Sequence, residues 1–270
     1  MLRQSATARV FKMKLYTLGT SAGTQPVEGF HHTSTALETN GCVYFFDAGE
    51  CCAYTAHLCG LDLLKTRAIF ITHPHMDHVG GLGNLLWYIR KVCRVTGSPL
   101  SSGGNIDIFT PCTESVDGFF TVLKNTEGNF QTDHTHTVRK FADGVIYCDE
   151  NIKVTANHTL HMPENNGAFQ SFSFTVECEG KTVVFSGDMR LEDIERIVPE
   201  NCDAFFAETG HHRLETVCQA LDEAGKNIKK IFFIHNGGYI MRDYPAAVRF
   251  LNELRGDGAV ICRDGNIYEL

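Results

Sequence analysis

Ile69-Phe70-Ile71-Thr72-His73-Pro74-His75-Met76-Asp77-His78-Val79-Gly80-Gly81-Leu82 decides how this chain is read. His73, His75, Asp77 and His78 fall within six residues, straight after an apolar β-branched run. Neither a packed core nor an ordinary surface explains that density. Neutral histidine is the commonest metal ligand, and ionised aspartate adds a hard oxygen beside it. The segment therefore reads as a metal site on a loop leaving the end of a buried strand.

Four donors cannot complete two metal sites, so further ligands are expected downstream. His161 closes the run Val154-Thr155-Ala156-Asn157-His158-Thr159-Leu160. Asp188 follows Val183-Val184-Phe185-Ser186-Gly187, and His235 follows Ile231-Phe232-Phe233-Ile234. Each is polar and stands where a strand-like run exits into a loop. Each also has a plainer reading. His158 rivals His161, while Ser186-Gly187-Asp188 and His235-Asn236-Gly237-Gly238 carry turn chemistry.

Strand-like runs recur at Met13–Leu18, Thr35–Glu38, Cys42–Asp47, Ala68–Thr72, Ile106–Thr110, Ile152–Ala156, Ser171–Cys178, Thr182–Ser186, Ala204–Ala207 and Lys230–Ile234. Helical patterns cover Gly80–Val95, Ser115–Asn125, Leu191–Ile197, Leu214–Ala224 and Tyr244–Leu254. Two sheets packed face to face, with helices outside, suit that alternation. The Gly- and Ser-rich stretch 97–105 is the clearest loop. Residues 1–12 read as a disordered N-terminal extension, and 13–270 as one domain. His31 and His32 read as surface or hydrogen-bonded residues, and His134 and His136 as solvent-exposed.

Hydrophobic residues make up 43% and charged residues 21%, enough apolar material for a sizeable soluble core. No apolar run is long enough to span a bilayer, so no membrane partner is expected. The formal charge of −8 argues against a broadly basic nucleic-acid surface while leaving room for a local basic patch. Eleven cysteines without Cys-x-x-Cys spacing or a secretion signal read as reduced thiols in a cytoplasmic protein.

The ordered set of His-x-His-x-Asp-His, a lone histidine, Ser-Gly-Asp and a late strand-end histidine resembles the metallo-β-lactamase superfamily. The resemblance covers nearly the whole length from Met13. It implies an α+β fold, a four-layer αββα sandwich with its metal site at one edge of the two sheets. Carried over, His73, His75 and His161 would hold one metal. Asp77, His78 and His235 would hold the second, with Asp188 bridging both. Within the superfamily the pattern is similar to ribonuclease Z and its relatives, through Leu18-Gly19-Thr20-Ser21-Ala22-Gly23 and the flanks of the metal motif. Phe46-Asp47-Ala48-Gly49 resembles the superfamily's Asp-x-Gly turn, which makes Asp47 a candidate to orient a ligating imidazole. Glu208-Thr209 with His211-His212 resembles that branch's Glu-x-Thr and following histidine, at approximate spacing. One departure matters. The interval from His161 to Asp188 is too short for the arm with which ribonuclease Z grips transfer RNA.

The activity implied is that of a dinuclear metal-dependent hydrolase with a metal-bridging hydroxide, acting on a phosphodiester or small anionic ester. Two divalent ions are expected, zinc first, with manganese or iron as alternatives. Asp77 would orient the nucleophile or receive its proton, and His211 or His212 would protonate the leaving oxygen. Nucleic acid stays open as a partner without the transfer RNA arm, as does a homodimer. The alternatives are a metal-dependent hydrolase of lactones, thioesters or carboxylic esters, an iron-dependent redox relative, and a non-catalytic metal-binding protein.

Overall fold

Side chains on a strand alternate between two faces, so a strand apolar on both must be covered on both. Strand β3 (Cys42–Phe46) is such a strand, buried throughout. Its Val43 and Phe45 enter a core shared with helices, whereas Tyr44 and Phe46 enter a second core facing another sheet. This alternation, repeated along the chain, builds the layers. The computed structural model describes residues 12–101 and 103–270. All of the expected extension except Lys12 lies outside them.

The first sheet contains β1 (Lys14–Gly19), β2 (Ser34–Thr39), β3, β4 (Thr66–Phe70), β5 (Asn105–Thr110) and β6 (Thr135–Lys140). The second contains β7 (Gly144–Cys148), β8 (Ile152–His158), β9 (Phe172–Cys178), β10 (Lys181–Phe185), β11 (Asn201–Thr209), β12 (Asn227–Asn236) and β13 (Ala259–Ile261). The last strand, β14 (Asn266–Glu269), returns to the first sheet beside β1. The orders are β14-β1-β2-β3-β4-β5-β6 and β13-β12-β11-β10-β9-β8-β7.

Helices α1 (Cys52–Leu58), α3 (Leu82–Thr96) and α4 (Thr113–Lys124) cover the first sheet, with the single turn α2 (Met76–Val79) inside the metal motif. Helices α5 (Ile194–Ile197), α6 (Leu214–Glu223), α7 (Gly238–Met241) and α8 (Tyr244–Arg255) cover the second. The result is the expected four-layer αββα sandwich.

Between the sheets runs a seam of phenylalanines. Phe46 stacks on Phe70 at 5.2 Å and on Phe185 of the facing sheet at 4.1 Å. Phe70 continues to Phe109 at 5.1 Å, Phe185 to Phe206 at 5.0 Å, and Phe206 to Phe232 at 4.6 Å. Such pairs add about 0.5–1.5 kcal/mol each beyond their buried area.

Strands β3 to β6 are mutually parallel, as are β10 to β13, so their C-terminal ends gather at one edge. Strand β8 is antiparallel to β9, and β9 to β10, so β8 exits there too. Each sheet thus delivers loops to the same edge.

One expectation fails in the region 134–148. His134 is buried and His136 half-buried, not solvent-exposed, because β6 turns His136 onto Phe120 of α4 and Phe130, and His134 packs against the His136 ring. Strands β6 and β7 themselves carry no apolar alternation strong enough to announce them, since they form the outer ends of the two sheets. All eleven cysteines are free. Among the described residues no helix is long and apolar enough to cross a membrane.

Candidate metal centre

Strand β4 ends at Phe70, and the chain carries Ile71 and Thr72 beyond it before His73. Pro74 disfavours helix for the residue before it, and α2 begins only after His75. That delay separates the donors. His73 stays buried at the strand end and His75 is exposed, while Asp77 and His78 ride the helical turn.

Asp188 is the centre of the cluster, and its two oxygens face different partners. Its Oδ2 lies 3.6 Å from His73 Nε2 and 3.5 Å from His161 Nε2. Its Oδ1 lies 3.2 Å from His78 Nε2 and 3.3 Å from His235 Nε2. His75 Nδ1 completes the first set, 3.1 Å from His73 Nε2 and 3.4 Å from His161 Nε2. Asp77 Oδ2 completes the second, 3.2 Å from His235 Nε2 and 3.7 Å from His78 Nε2. Donor atoms of His73, His75, His161 and Asp188 lie within 4.8 Å of one another, and so do those of Asp77, His78 and His235.

The proton inventory fits a cation. Asp47 Oδ2 accepts from His78 Nδ1 at 2.7 Å, and a carboxylate can only accept, so Nδ1 carries the proton and the Nε2 lone pair faces the cluster. Thr72 donates its hydroxyl to Asp47 at 2.8 Å and meets His73 Nδ1 at 3.0 Å. The hydroxyl proton is thereby committed, so His73 Nδ1 donates and its Nε2 is bare. His78 Nε2 and Asp188 Oδ1 are buried without a hydrogen-bond partner. Buried polar atoms left in that state cost stability unless something else binds them.

Charge shifts tell the same story. Burial alone would raise Asp188, yet His235, His78 and His73 hold it well below the usual carboxylate range. Burial alone would lower His78, but Asp188 and Asp47 carry it well above the usual imidazole value. His235 is likewise carried against burial, chiefly by Asp188, up to about 9. Burial, reinforced by His78, keeps His73 well below its ordinary value. The carboxylates thus stay ionised and draw positive charge to the cluster, which a divalent ion would supply while leaving the imidazole Nε2 lone pairs free to bind it.

Two glycines leave space for these side chains. A Cβ on Gly23 would stand 2.7 Å from Asp77 Oδ2, and one on Gly210 would stand 2.5 Å from His235 Nδ1. Glu208, buried at the end of β11, accepts from His211 at 3.1 Å and lies 3.6 Å from His235 Nδ1. The longer contact exceeds a hydrogen bond and acts as charge proximity. Burial opposes ionisation of Glu208, but His211 and His235 bring its carboxyl down to about 2.

Residues 13–237 match the family described as Anti-Pycsar protein Apyc1. The chain belongs to that family. It is also similar to ribonuclease Z of Bacillus velezensis, with 32% identity over 158 residues, 57% of this chain and 47% of the relative. The chain thus spans about half the length of the first ribonuclease Z relatives it matches. Among solved structures it is similar to the short form of human tRNase Z, with a TM-score of 0.71 at 17% identity over 95% of this chain and 98% of that one. A diphosphatase of the PhnP family aligns with a TM-score of 0.64 at 15% identity, over 96% and 98% of the two chains. The fold is that of the metallo-β-lactamase superfamily, and the chain is ribonuclease Z-like.

In this Apyc1-family chain, all seven residues expected as ligands converge. Asp47 orients His78 as expected, and also holds the Thr72 backbone N–H at 2.7 Å. His158 turns away to Asp143 at 2.7 Å and stacks on Phe169, leaving His161 at the cluster. Of the adjacent pair, His211 Nδ1 approaches Asp188 Oδ2 at 3.7 Å, whereas His212 Nε2 donates to the Met189 carbonyl at 2.8 Å. His31 bonds Asp264 at 2.8 Å and His32 pairs with Glu50. Sequence reasoning gave Glu208 only a motif resemblance and passed over Thr72. Both are polar residues beside a ligand at a strand end, which was the available signal.

Proposed function

We propose that the chain is a dinuclear metal-dependent hydrolase acting on a phosphodiester or small anionic ester. The observation that carries this reading is the division of Asp188, one oxygen toward each donor set. His73, His75 and His161 would hold one divalent ion, Asp77, His78 and His235 the other, and Asp188 both. Zinc suits such imidazole-rich mixed sites, with manganese or iron as alternatives. Such a pair supplies Lewis acidity and lowers the pKa of water toward about 7.

The protein's own groups supply positioning and protons. In hydrolysis a water oxygen bonds to phosphorus as the bond to the leaving oxygen breaks. Asp77, at the mouth of the cluster, orients that water and takes up its proton. The hydrogen bond that His211 donates to Glu208 raises the imidazole above its ordinary value, which favours a ring proton to hand to the leaving oxygen. His212, tied to a carbonyl, is the lesser candidate for that role. The similarity to proteins named ribonuclease Z and to a diphosphatase supports phosphorus over carbonyl chemistry. The eleven free thiols suit a reducing, cytoplasmic setting.

The test is a metal-reconstituted screen of bis-p-nitrophenyl phosphate, cyclic nucleotides, lactones and thioesters. Turnover of phosphodiesters alone is expected. Turnover of lactones or thioesters with phosphodiesters untouched would overturn the substrate class.

A further inference from the structure

The two donor sets are held by different means. His78 in the second set is oriented through its ring, by the Asp47 carboxylate. His161 in the first set is anchored through its backbone on both sides. The Leu160 N–H donates to Asp193 Oδ2 at 2.9 Å, and the Met162 N–H donates to Ser171 Oγ at 3.1 Å. The same Asp193 oxygen accepts the Arg190 N–H at 2.8 Å, two residues beyond Asp188. Asp193 is only 1% exposed, and Arg196 balances its charge at 2.7 Å. One buried carboxylate therefore ties the loop carrying His161 to the loop carrying Asp188. Those two donors face each other across 3.5 Å.

We propose that Asp193 is a positioning residue for one half of the metal pair, setting His161 against Asp188 without contributing a donor atom itself. The inference rests on the dinuclear reading above. Its physical basis is local. Removing the carboxylate leaves two backbone N–H groups, at Leu160 and Arg190, without their acceptor, and both loops must move to find another. A metal site tolerates little of that, because its donors must be held to within about 0.5 Å. The first set takes two donors from the anchored loops, His161 and Asp188, and the second takes only Asp188, so the first set loses more.

Zinc titration of the chelator-stripped protein against a chromophoric competitor tests this. The wild type should take two equivalents, and His161→Ala should weaken one. Asp193→Ala should weaken that same equivalent by roughly 10–100-fold, the usual scale for losing a supporting group, and weaken the other distinctly less. In the His161→Ala background it should cost far less than in the wild type, because the donor it positions is already gone. Asp193→Asn, which keeps one acceptor oxygen, should recover part of the loss and serves if the alanine variant does not fold. Equal weakening of both equivalents, or of neither, in a folded variant would overturn the role of Asp193 while the dinuclear reading stands. A wild type that binds a single equivalent would sink both.

Discussion

Asp47→Asn tests how the site is assembled, because the change keeps the side chain's shape while removing its charge and reversing one hydrogen-bond polarity. Asp47 sits at φ +60°, a left-handed conformation that asparagine tolerates as well as aspartate. The amide is nearly isosteric, and its oxygen can still accept the Thr72 N–H at 2.7 Å. Its NH2 then replaces the oxygen that accepts from His78 Nδ1 at 2.7 Å and from the Thr72 hydroxyl at 2.8 Å. Donor now meets donor. His78 escapes by moving its proton to Nε2, which turns an N–H toward Asp188 where a lone pair faced the cluster. A charge-assisted hydrogen bond is worth about 1.5–3 kcal/mol, a factor of roughly 10–100 in binding. Loss of an orienting partner at metal-bound histidines costs about the same range. Chelator competition should therefore show one zinc equivalent weakened by one to two decades, with circular dichroism unchanged. A folded variant that binds both equivalents as tightly as wild type would refute the assignment of His78 as a ligand oriented by Asp47.

Three further outcomes are expected. Asp188→Ala removes both shared oxygens, so metal content should fall at both equivalents and turnover should be lost; survival of both would exclude a shared carboxylate. Gly23→Ala puts a methyl 2.7 Å from Asp77 Oδ2, so the carboxylate must move aside, and a misplacement approaching about 1 Å should lower turnover by up to about 100-fold while the melting temperature barely changes. Burial, then His134, depresses His136 to about 4, so its neutral form stabilises the fold fully above pH 6.5 and loses that contribution as pH falls toward 4. Urea midpoints should show about 2 kcal/mol lost between pH 7 and 5 in wild type relative to His136→Phe, and a pH-independent difference between the two proteins would contradict this.

What was legible in the sequence follows from where each signal lies. The donors of the metal motif are neighbours in the chain, and the distant ones close long apolar strands, so both announce themselves. The layers were legible because β3, β4 and β12 are apolar on both faces. Strands at the sheet margins were not. In β6, Thr135-His136-Thr137-Val138 reads as polar loop, and only the tertiary cover of Phe120 and Phe130 makes it structure. Helix α1 escaped for a related reason: its seven residues are too short for a clear period, and Cys51 enters it at φ +65° with no side-chain cap. Asp193 was invisible because its function depends on Leu160, 33 positions away, which no local pattern records.

The phenylalanine seam and the metal centre are consecutive parts of the same strands. Phe46 precedes Asp47, Phe70 stands two residues before Thr72, Phe185 three before Asp188, and Phe206 two before Glu208. Each site residue is therefore the continuation of a ring locked in the core between the sheets. The 4.1 Å contact of Phe46 with Phe185 fixes how far the first sheet's donors stand from those of the second. Close packing transmits small displacements because the core has no slack to absorb them. A donor cluster divided between two sheets needs such a ruler, since neither sheet alone carries a complete donor set. Local changes at Asp47 or Asp193 should loosen chiefly one half of the centre, whereas thinning the seam at Phe46 should shift both halves together.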